Sequence, residues 1–283
     1  MIFVSSSCVK NKLIKDSVLE LVDIGFKNIE LSGGTELYED LESDLLEIKN
    51  KFKLNYRCHN YFPPPPKHFV LNLASLDEEV FNMSKEHVKR ALALSEQLGC
   101  EKYGVHAGFL INISTAEIGK SIQKKDLFDR RKALESFIKA IGDLSRNSQV
   151  KLYIENNVIS AQNFKNYEEI NPLLLTCHKD FLELKERLKF NLLLDVAHLK
   201  VSCKSLGLNL EGELGAMLRE SDYIHLSDND GTKDSNDSFD RGQIFDILSE
   251  NRNLLKGKDF TLEVYSGKEQ IIKSYENLES LVC

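Results

Sequence analysis

The sequence predicts a closed (β/α)8 barrel, formed by residues 1–283 as a single domain. Three observations carry this expectation. Short β-type runs alternate with helical stretches eight times along the chain, and such alternation demands a parallel sheet covered by helices. The length of 283 residues suits one barrel of about 250 residues with its loops. Several of the strands end in a carboxylate or an imidazole, and the C-terminal mouth is where barrels of this kind keep their chemistry.

The elements read in order as follows. FVSS (Phe3 to Ser6) is a first strand, and Leu13 to Ile24 is a helix with Leu13, Val18, Leu21 and Val22 at helical spacing, stopped by Gly25. NIEL (Asn28 to Leu31) is the second strand, ended by the Gly33-Gly34 turn, and Tyr38 to Phe52 is a helix. Leu54 to Asn60 is the third strand, followed by FPPPP, a stiff polyproline turn. Ser75 with Glu78 makes a capping box, and the helix behind it carries Val80, Met83, Val88, Ala91, Leu94 and Leu98 before Gly99. Tyr103 to Gly108 is strand four, Leu127 to Leu144 a helix, Lys151 to Asn156 strand five, and Asp180 to Leu188 a helix. Asn191 to Asp195 is strand six; helical residues run on through Leu218 to strand seven, Tyr223 to Asp228. A polar loop to Gly242, a helix from Ile244 to Leu255, strand eight from Phe260 to Tyr265 and a last helix from Glu269 to Leu281 complete the chain. No G-x-G-x-x-G follows a strand, which argues against a dinucleotide fold.

Composition narrows the classes. The chain is 42% hydrophobic and 29% charged, with a formal net charge of -7, which speaks against a protein that coats nucleic acid or an anionic membrane. No apolar run approaches the roughly 18 residues a membrane span needs. MIFVSSSCVK lacks the charged start of a signal peptide, and six cysteines stand without a CxxC pair. These features suggest reduced thiols and a cytoplasmic location.

The period of two in the strands sorts the candidate residues. Tyr153 and Glu155 share one face of strand five; Thr261, Glu263 and Tyr265 share one face of strand eight; Tyr223, His225 and Ser227 do so in strand seven. In strand three Asn55, Arg57 and His59 oppose Tyr56 and Cys58, and in strand four Gly104 and His106 oppose Val105. The apolar set must face the helices, so the polar set faces the barrel axis. In NLLLDVAH, three leucines deliver Asp195, with His198 three residues on. Asp195 reads either as a buried site carboxylate or as an N-cap of the helix that follows. The convergent set is His59, His106, Glu155, Asp195, His198, His225 and Glu263. Carboxylates and imidazoles in one cavity need a counter-ion, and oxygen with imidazole suits Mn²⁺, Mg²⁺, Co²⁺ or Zn²⁺. The plainer alternative is a salt-bridge network with Arg57 and Lys151. His59 and His106 alone also read as satisfied core histidines. His87, His68 and His178 read as structural or surface residues, and the run Lys120 to Lys132 as a solvated face.

GFKNIELSG, ALSEQLGCEKYGVHAG, the Glu155-Asn156 pair, LDVAH, YIHLSDNDG and LEVY together resemble the xylose-isomerase-like TIM barrel superfamily over essentially the whole chain. That superfamily holds sugar isomerases and epimerases, inosose dehydratases and the endonuclease IV type of apurinic endonucleases. The resemblance implies Glu155, Asp195, His225 and Glu263 as ligands of one divalent metal ion, His198 and His106 as substrate contacts, and His59 at the mouth. The endonuclease branch adds further metals, partly through an Asp-x-His pair after strand seven. Here that loop reads DSNDSFDRGQ, with Asp240 and no histidine, which speaks against DNA repair and against nucleic acid as a partner.

A metal-chelated hydroxyketone or hydroxyaldehyde loses its α-proton to give an enediolate. With Glu155 and Glu263 as acid and base on different sides, return of the proton gives epimerisation or isomerisation. The expected function is therefore a metal-dependent sugar or sugar phosphate isomerase/epimerase. The alternatives are an inosose-dehydratase-like lyase, a phosphodiester hydrolase, or a barrel that only binds. Arg241 and Lys200 are candidates to grip a phosphate or carboxylate on the substrate. A homo-oligomer and a small-molecule carbohydrate substrate complete the expectation.

Overall fold

A computed structural model describes residues 1–282. Eight parallel strands close into one barrel in sequence order, with the eighth returning to pair with the first. They are β1 (Ile2–Ser5), β2 (Asn28–Leu31), β3 (Asn55–His59), β4 (Lys102–His106), β5 (Lys151–Glu155), β6 (Asn191–Asp195), β7 (Ser221–Leu226) and β8 (Asp259–Leu262). Among the described residues ten α-helices cover them: α1 (Ile14–Ile24), α2 (Leu41–Phe52), α3 (Glu78–Gln97), α4 (Arg130–Arg146), α5 (Ala161–Asn166), α6 (His178–Lys185), α7 (Val196–Leu206), α8 (Leu210–Glu220), α9 (Gln243–Glu250) and α10 (Lys268–Val282). The expected TIM barrel is the observed fold.

The outward strand residues and the inner helix faces make one continuous core. In α1, Ile14, Ser17, Val18 and Leu21 are fully buried, the three- and four-residue spacing of one helix stripe. Ile29, Leu31, Val105, Ile154, Leu192, Leu194, Ile224 and Leu262 meet such stripes from the sheet. A second apolar cluster, with Val70, Phe109, Ile111, Ile122, Ile159, Tyr167 and Leu173, lies under the long connections after β4 and β5. It builds a wall on one side of the mouth.

Three local expectations need correction. Ser75 and Glu78 do not form a capping box. The N-cap of α3 is Asp77, whose carboxylate accepts from the amides of Glu79 and Val80, while the Ser75 hydroxyl donates to Asn112. Asp77 lies closer to the first turn and outcompetes the hydroxyl. Strand eight is shorter than FTLEVY, so Glu263 stands just past β8, its backbone N–H donating to the Leu226 carbonyl at 3.1 Å. The helices expected from Tyr38, Leu127 and Asp180 begin instead at Leu41, Arg130 and His178.

Candidate active site

The register of adjacent strands stacks the inward side chains in rows. Phe3, Arg57 and Tyr223 lie low in the barrel: the Arg57 guanidinium sits 4.2 Å from the Phe3 ring centre and 4.3 Å from that of Tyr223. Arg57 and Lys102 both pair with Asp259, at 2.7 and 3.0 Å. Arg57 is therefore neutralised at the floor, and Lys151 is exposed at the start of β5. Neither forms the salt-bridge network that was the plainer reading of the convergent set.

Above this floor, Glu30 of β2 is fully buried, with Oε1 2.9 Å from His225 Nε2. Tyr223 and Thr261 donate their hydroxyls to its other oxygen. Burial works against the charged form of Glu30, but the imidazole of His225 outweighs it and holds the carboxyl at about 2.

The top row holds the candidate donors. His106 and Glu155 are register partners across β4 and β5, as are Asp195 and His225 across β6 and β7. Gly104, below His106, leaves room for His59: a Cβ at Gly104 would lie 2.7 Å from His59 Cδ2 and 2.7 Å from Leu193 Cδ2. His59 Nε2 donates to Glu155 Oε2 at 2.7 Å, and His106 Nδ1 lies 3.1 Å from the same oxygen. The other oxygen, Oε1, faces His225 Nδ1 at 3.7 Å and His198 Nδ1 at 3.6 Å. Glu263 Oε2 lies 3.3 Å from His225 Nδ1.

Asp195 turns out to be both a site carboxylate and an N-cap. Its Oδ1 accepts from the His198 amide at 2.7 Å, which starts α7 and sets His198 beside the mouth. His198 Nδ1 donates to the Asn156 carbonyl at 2.9 Å, and its Nε2 lies 3.3 Å from Asp234 Oδ2.

Burial and the neighbouring charges shift the proton affinities of this cluster in opposite directions. Burial pushes the Asp195 carboxyl up to about 7, although His198 opposes it. Burial also acts to raise Glu155, but His106 and His59 outweigh it and hold the carboxyl well below the usual range. His106 is pulled down to about 4 by burial, against the attraction of Glu155. His225 and His198 go the other way. Burial disfavours their charged forms, yet Glu30 and Glu263 hold His225 protonated, and Asp195 with Asp234 do the same for His198.

These residues fit a divalent ion. Glu155, Asp195 and His225 offer ligand atoms that lie within 4.8 Å of one another. Glu155 Oε1, Glu30 Oε1 and His225 Nδ1 are buried without a hydrogen bond, positions that a cation in exchange for the His225 proton would satisfy. Ligands about 2.1 Å from one ion lie roughly 3 Å apart, close to the 3.3 Å between Glu263 Oε2 and His225 Nδ1. A carboxylate-rich set with one imidazole suits Mn²⁺, Mg²⁺, Co²⁺ or Zn²⁺. The ion would take over the charge balance that protons on His225 and His198 supply. Two further groups are equally close: His59, His106 and Glu155, and Glu30, His59, His225 and Glu263.

A cavity of about 1010 Å³ is lined on its polar side by His59, His106, Glu155, His198, Asp234 and Glu263, while Asp195 and His225 lie outside its lining. Val70, Phe109, Ile122 and Leu173 of the second apolar cluster form the opposite wall. Two predicted substrate contacts lie elsewhere. Arg241 is exposed and does not line the cavity; its guanidinium stacks at 5.7 Å from the Phe245 ring centre. Lys200 is tied to Asp228 Oδ1 and the Asn229 carbonyl, both at 2.5 Å. Asp240 pairs with Lys273 at 2.7 Å, away from the donors. The acid of the β7 loop that reaches the site is Asp234, followed two residues on by Asn236. Sequence reasoning missed Asp234, Glu30 and Asn156. Parity in NIEL offered a signal for Glu30, since Asn28 and Glu30 oppose Ile29 and Leu31.

Comparisons with known proteins agree with the barrel. No curated protein sequence matches the chain. A D-tagatose 3-epimerase-like protein superposes with a TM-score of 0.73 at 16% identity, covering 99% of this chain and 96% of that one. D-psicose 3-epimerase from Clostridium cellulolyticum, solved with D-tagatose, gives 0.67 at 11% identity, over 100% and 99% of the two chains. Endonuclease IV from Thermus thermophilus gives 0.62 at 16% identity, over 99% and 98%. At these identities the likeness is one of fold. The family profile of the xylose isomerase-like TIM barrel matches residues 18–281, and the chain belongs to that family.

Proposed function

We propose that the protein is a divalent-metal-dependent sugar or sugar phosphate isomerase or epimerase, with the ion held by Glu155, Asp195, His225 and Glu263. The observation that carries the reading is the approach of Glu155 and Glu263, from β5 and from just past β8, to the same nitrogen of His225, at 3.7 and 3.3 Å. Two of the similar structures are named as 3-epimerases or proteins like them, which supports the same chemistry. A bound divalent ion would polarise a carbonyl and its neighbouring hydroxyl and lower the cost of removing the α-proton.

The chain's own residues do the rest. Glu263 faces the cavity, and as a carboxylate it can take a proton from a carbon held there. Glu155 Oε2 is pinned by His59, which leaves Oε1, between His198 and His225, as the oxygen without a hydrogen bond. Glu155 thus meets the substrate from another direction, and the pair can remove and return a proton. His198 and His106 line the same space and can hold substrate hydroxyls. The apolar wall excludes water from that side.

The test is incubation in D₂O with a panel of ketoses, aldoses, their phosphates and inososes, followed by NMR. Deuterium beside the carbonyl, dependent on Mn²⁺, Co²⁺, Mg²⁺ or Zn²⁺, supports the proposal. Exchange accompanied by loss of a hydroxyl would make the protein a lyase.

A second reading, metal-dependent phosphodiester hydrolysis, is favoured by Asp234 beside His198 and by the group His59, His106 and Glu155. Together they offer room for more than one ion, although the loop keeps Asn236 where a histidine would complete the pair. No exchange with any sugar, together with cutting of abasic-site DNA, would replace the first reading by this one.

A further inference from the structure

We infer that Glu30 is a positioning residue: it holds the Nε2 side of the His225 ring, so that Nδ1 faces Glu155 and Glu263 and is the nitrogen a cation would take. The inference rests on the proposed metal reading and deepens it.

Donors and acceptors around the His225 ring decide where its proton sits. Tyr223 and Thr261 both donate to Glu30 Oε2, the latter at 2.9 Å. A carboxylate accepts and does not donate, so its remaining oxygen, Oε1, presents a lone pair to His225 Nε2 at 2.9 Å. Tyr223 spends its one proton on Glu30, so its oxygen, 3.3 Å from His225 Nε2, also acts as an acceptor there. Nε2 therefore carries hydrogen, with the Tyr223 oxygen as its hydrogen-bond acceptor and Glu30 Oε1 as its ion-pair partner. The proton on Nδ1 is the one a cation would displace, and the lone pair it left would belong to Nδ1. That atom lies 3.3 Å from Glu263 Oε2 and 3.7 Å from Glu155 Oε1.

Neither Glu30 nor His225 lines the cavity, but Glu30 stands on the Nε2 side of the ring while Glu155 and Glu263 stand on the Nδ1 side, so it acts through His225. A carboxylate behind an imidazole orients the ring and raises its basicity as a ligand. Gln at this position cannot do the same. Its amide has one acceptor oxygen, so either His225 Nε2 or the pair Tyr223 and Thr261 meets an NH₂ group.

The test uses the full chain, histidine labelled with ¹⁵N, and Zn²⁺ as a diamagnetic probe. His225 is assigned by the signals lost in His225→Gln. On Zn²⁺ binding, Nδ1 is expected to lose its proton and take a metal-bound shift, while Nε2 keeps its proton. Calorimetry of Glu30→Gln should show the same Zn²⁺ stoichiometry with affinity about 10- to 100-fold weaker. The wild-type spectrum needs no variant, so it decides the proton's place even if Glu30→Gln misfolds. Zn²⁺ on Nε2, or unchanged affinity in Glu30→Gln, overturns the inference while leaving the metal reading intact. Loss of a whole equivalent of Zn²⁺ in Glu30→Gln overturns it too, because Glu30 would then be a ligand. If Zn²⁺ leaves the His225 signals unmoved, and Asp195→Asn and Glu155→Gln bind it normally, the metal reading itself fails.

Discussion

The side chain of Asn156 clasps the backbone of Asp195 with two hydrogen bonds: Asn156 Nδ2 donates to the Asp195 carbonyl at 3.0 Å, and the Asp195 amide donates to Asn156 Oδ1 at 2.8 Å. Both groups are buried, and the Asn156 carbonyl also accepts from His198 Nδ1. One residue thus sets the end of β6 and the ring of His198. Asn156→Ala leaves a buried amide and carbonyl unpaired and should cost about 1–3 kcal/mol for such a group. Urea unfolding reads that loss directly. Metal titration of the same variant should show weaker binding, because Asp195 is no longer held.

Glu263→Gln keeps the size of the side chain and removes the base. Deuterium exchange on the active sugar should slow by about 10²- to 10⁴-fold, the range for one well-placed acid or base. Glu155→Gln should do the same and also release His59. Exchange at the wild-type rate in either variant would remove that glutamate from the proton path.

Two glycines should respond to alanine with opposite signs. At Gly104 the new methyl meets His59 and Leu193, both at 2.7 Å. Overpacking of this kind costs about 1–3 kcal/mol, and it should push His59 off Glu155. Gly142, within α4, has only the tip of Arg146 nearby, at 3.7 Å. Alanine there should stabilise the helix by up to about 1 kcal/mol. Thermal melts of the two variants side by side check the contrast.

His87 gives an acid sensitivity separate from the site. It is buried in α3, its Nε2 has no hydrogen-bond partner, and its ring stands edge-on to Phe69 at 5.8 Å. Burial, helped by Arg90, lowers its pKa from 6.5 to about 4. The folded state therefore refuses a proton that the unfolded chain accepts. This contribution to stability is complete above pH 6.5 and falls as pH drops toward 4, by up to about 1.4 kcal/mol per pH unit. His87→Leu should lessen the loss of stability between pH 6.5 and about 4, the titration range itself, read as the difference in urea midpoints from the wild type. Equal losses in both proteins would contradict it.

The barrel was legible because its signal is repeated: eight alternations of strand and helix each repeat the same constraint. The donors were legible for a related reason. His59, His106, Glu155 and His225 interrupt strands whose other face is apolar, and period two assigns them to the axis. Asp234 was not legible, because it sits in a loop crowded with acids and without periodicity, where only its approach to His198 distinguishes it from Asp240. Arg241 misled for the matching reason: a cation in that loop, which also holds Lys233, carries no directional information, and its stacking on Phe245 turns it away. The Asp77 cap of α3 was missed because a pattern match at Ser75 says nothing about which neighbouring side chain reaches the helix amides first.

The seam where β1 meets β8 has a consequence for how the chain matures. Ile2 pairs with Phe260 and Val4 with Leu262, so closure waits on contacts between residues very distant in sequence, which slows folding. Glu263 follows directly on that seam. An intermediate with an open ring holds Glu155, Asp195 and His225 on contiguous strands but lacks the strand pairing that presents Glu263. Tight capture of a divalent ion would then begin only at ring closure. A cation that binds the closed form alone adds its binding free energy to stability and should act as a latch, slowing reopening more than it speeds folding.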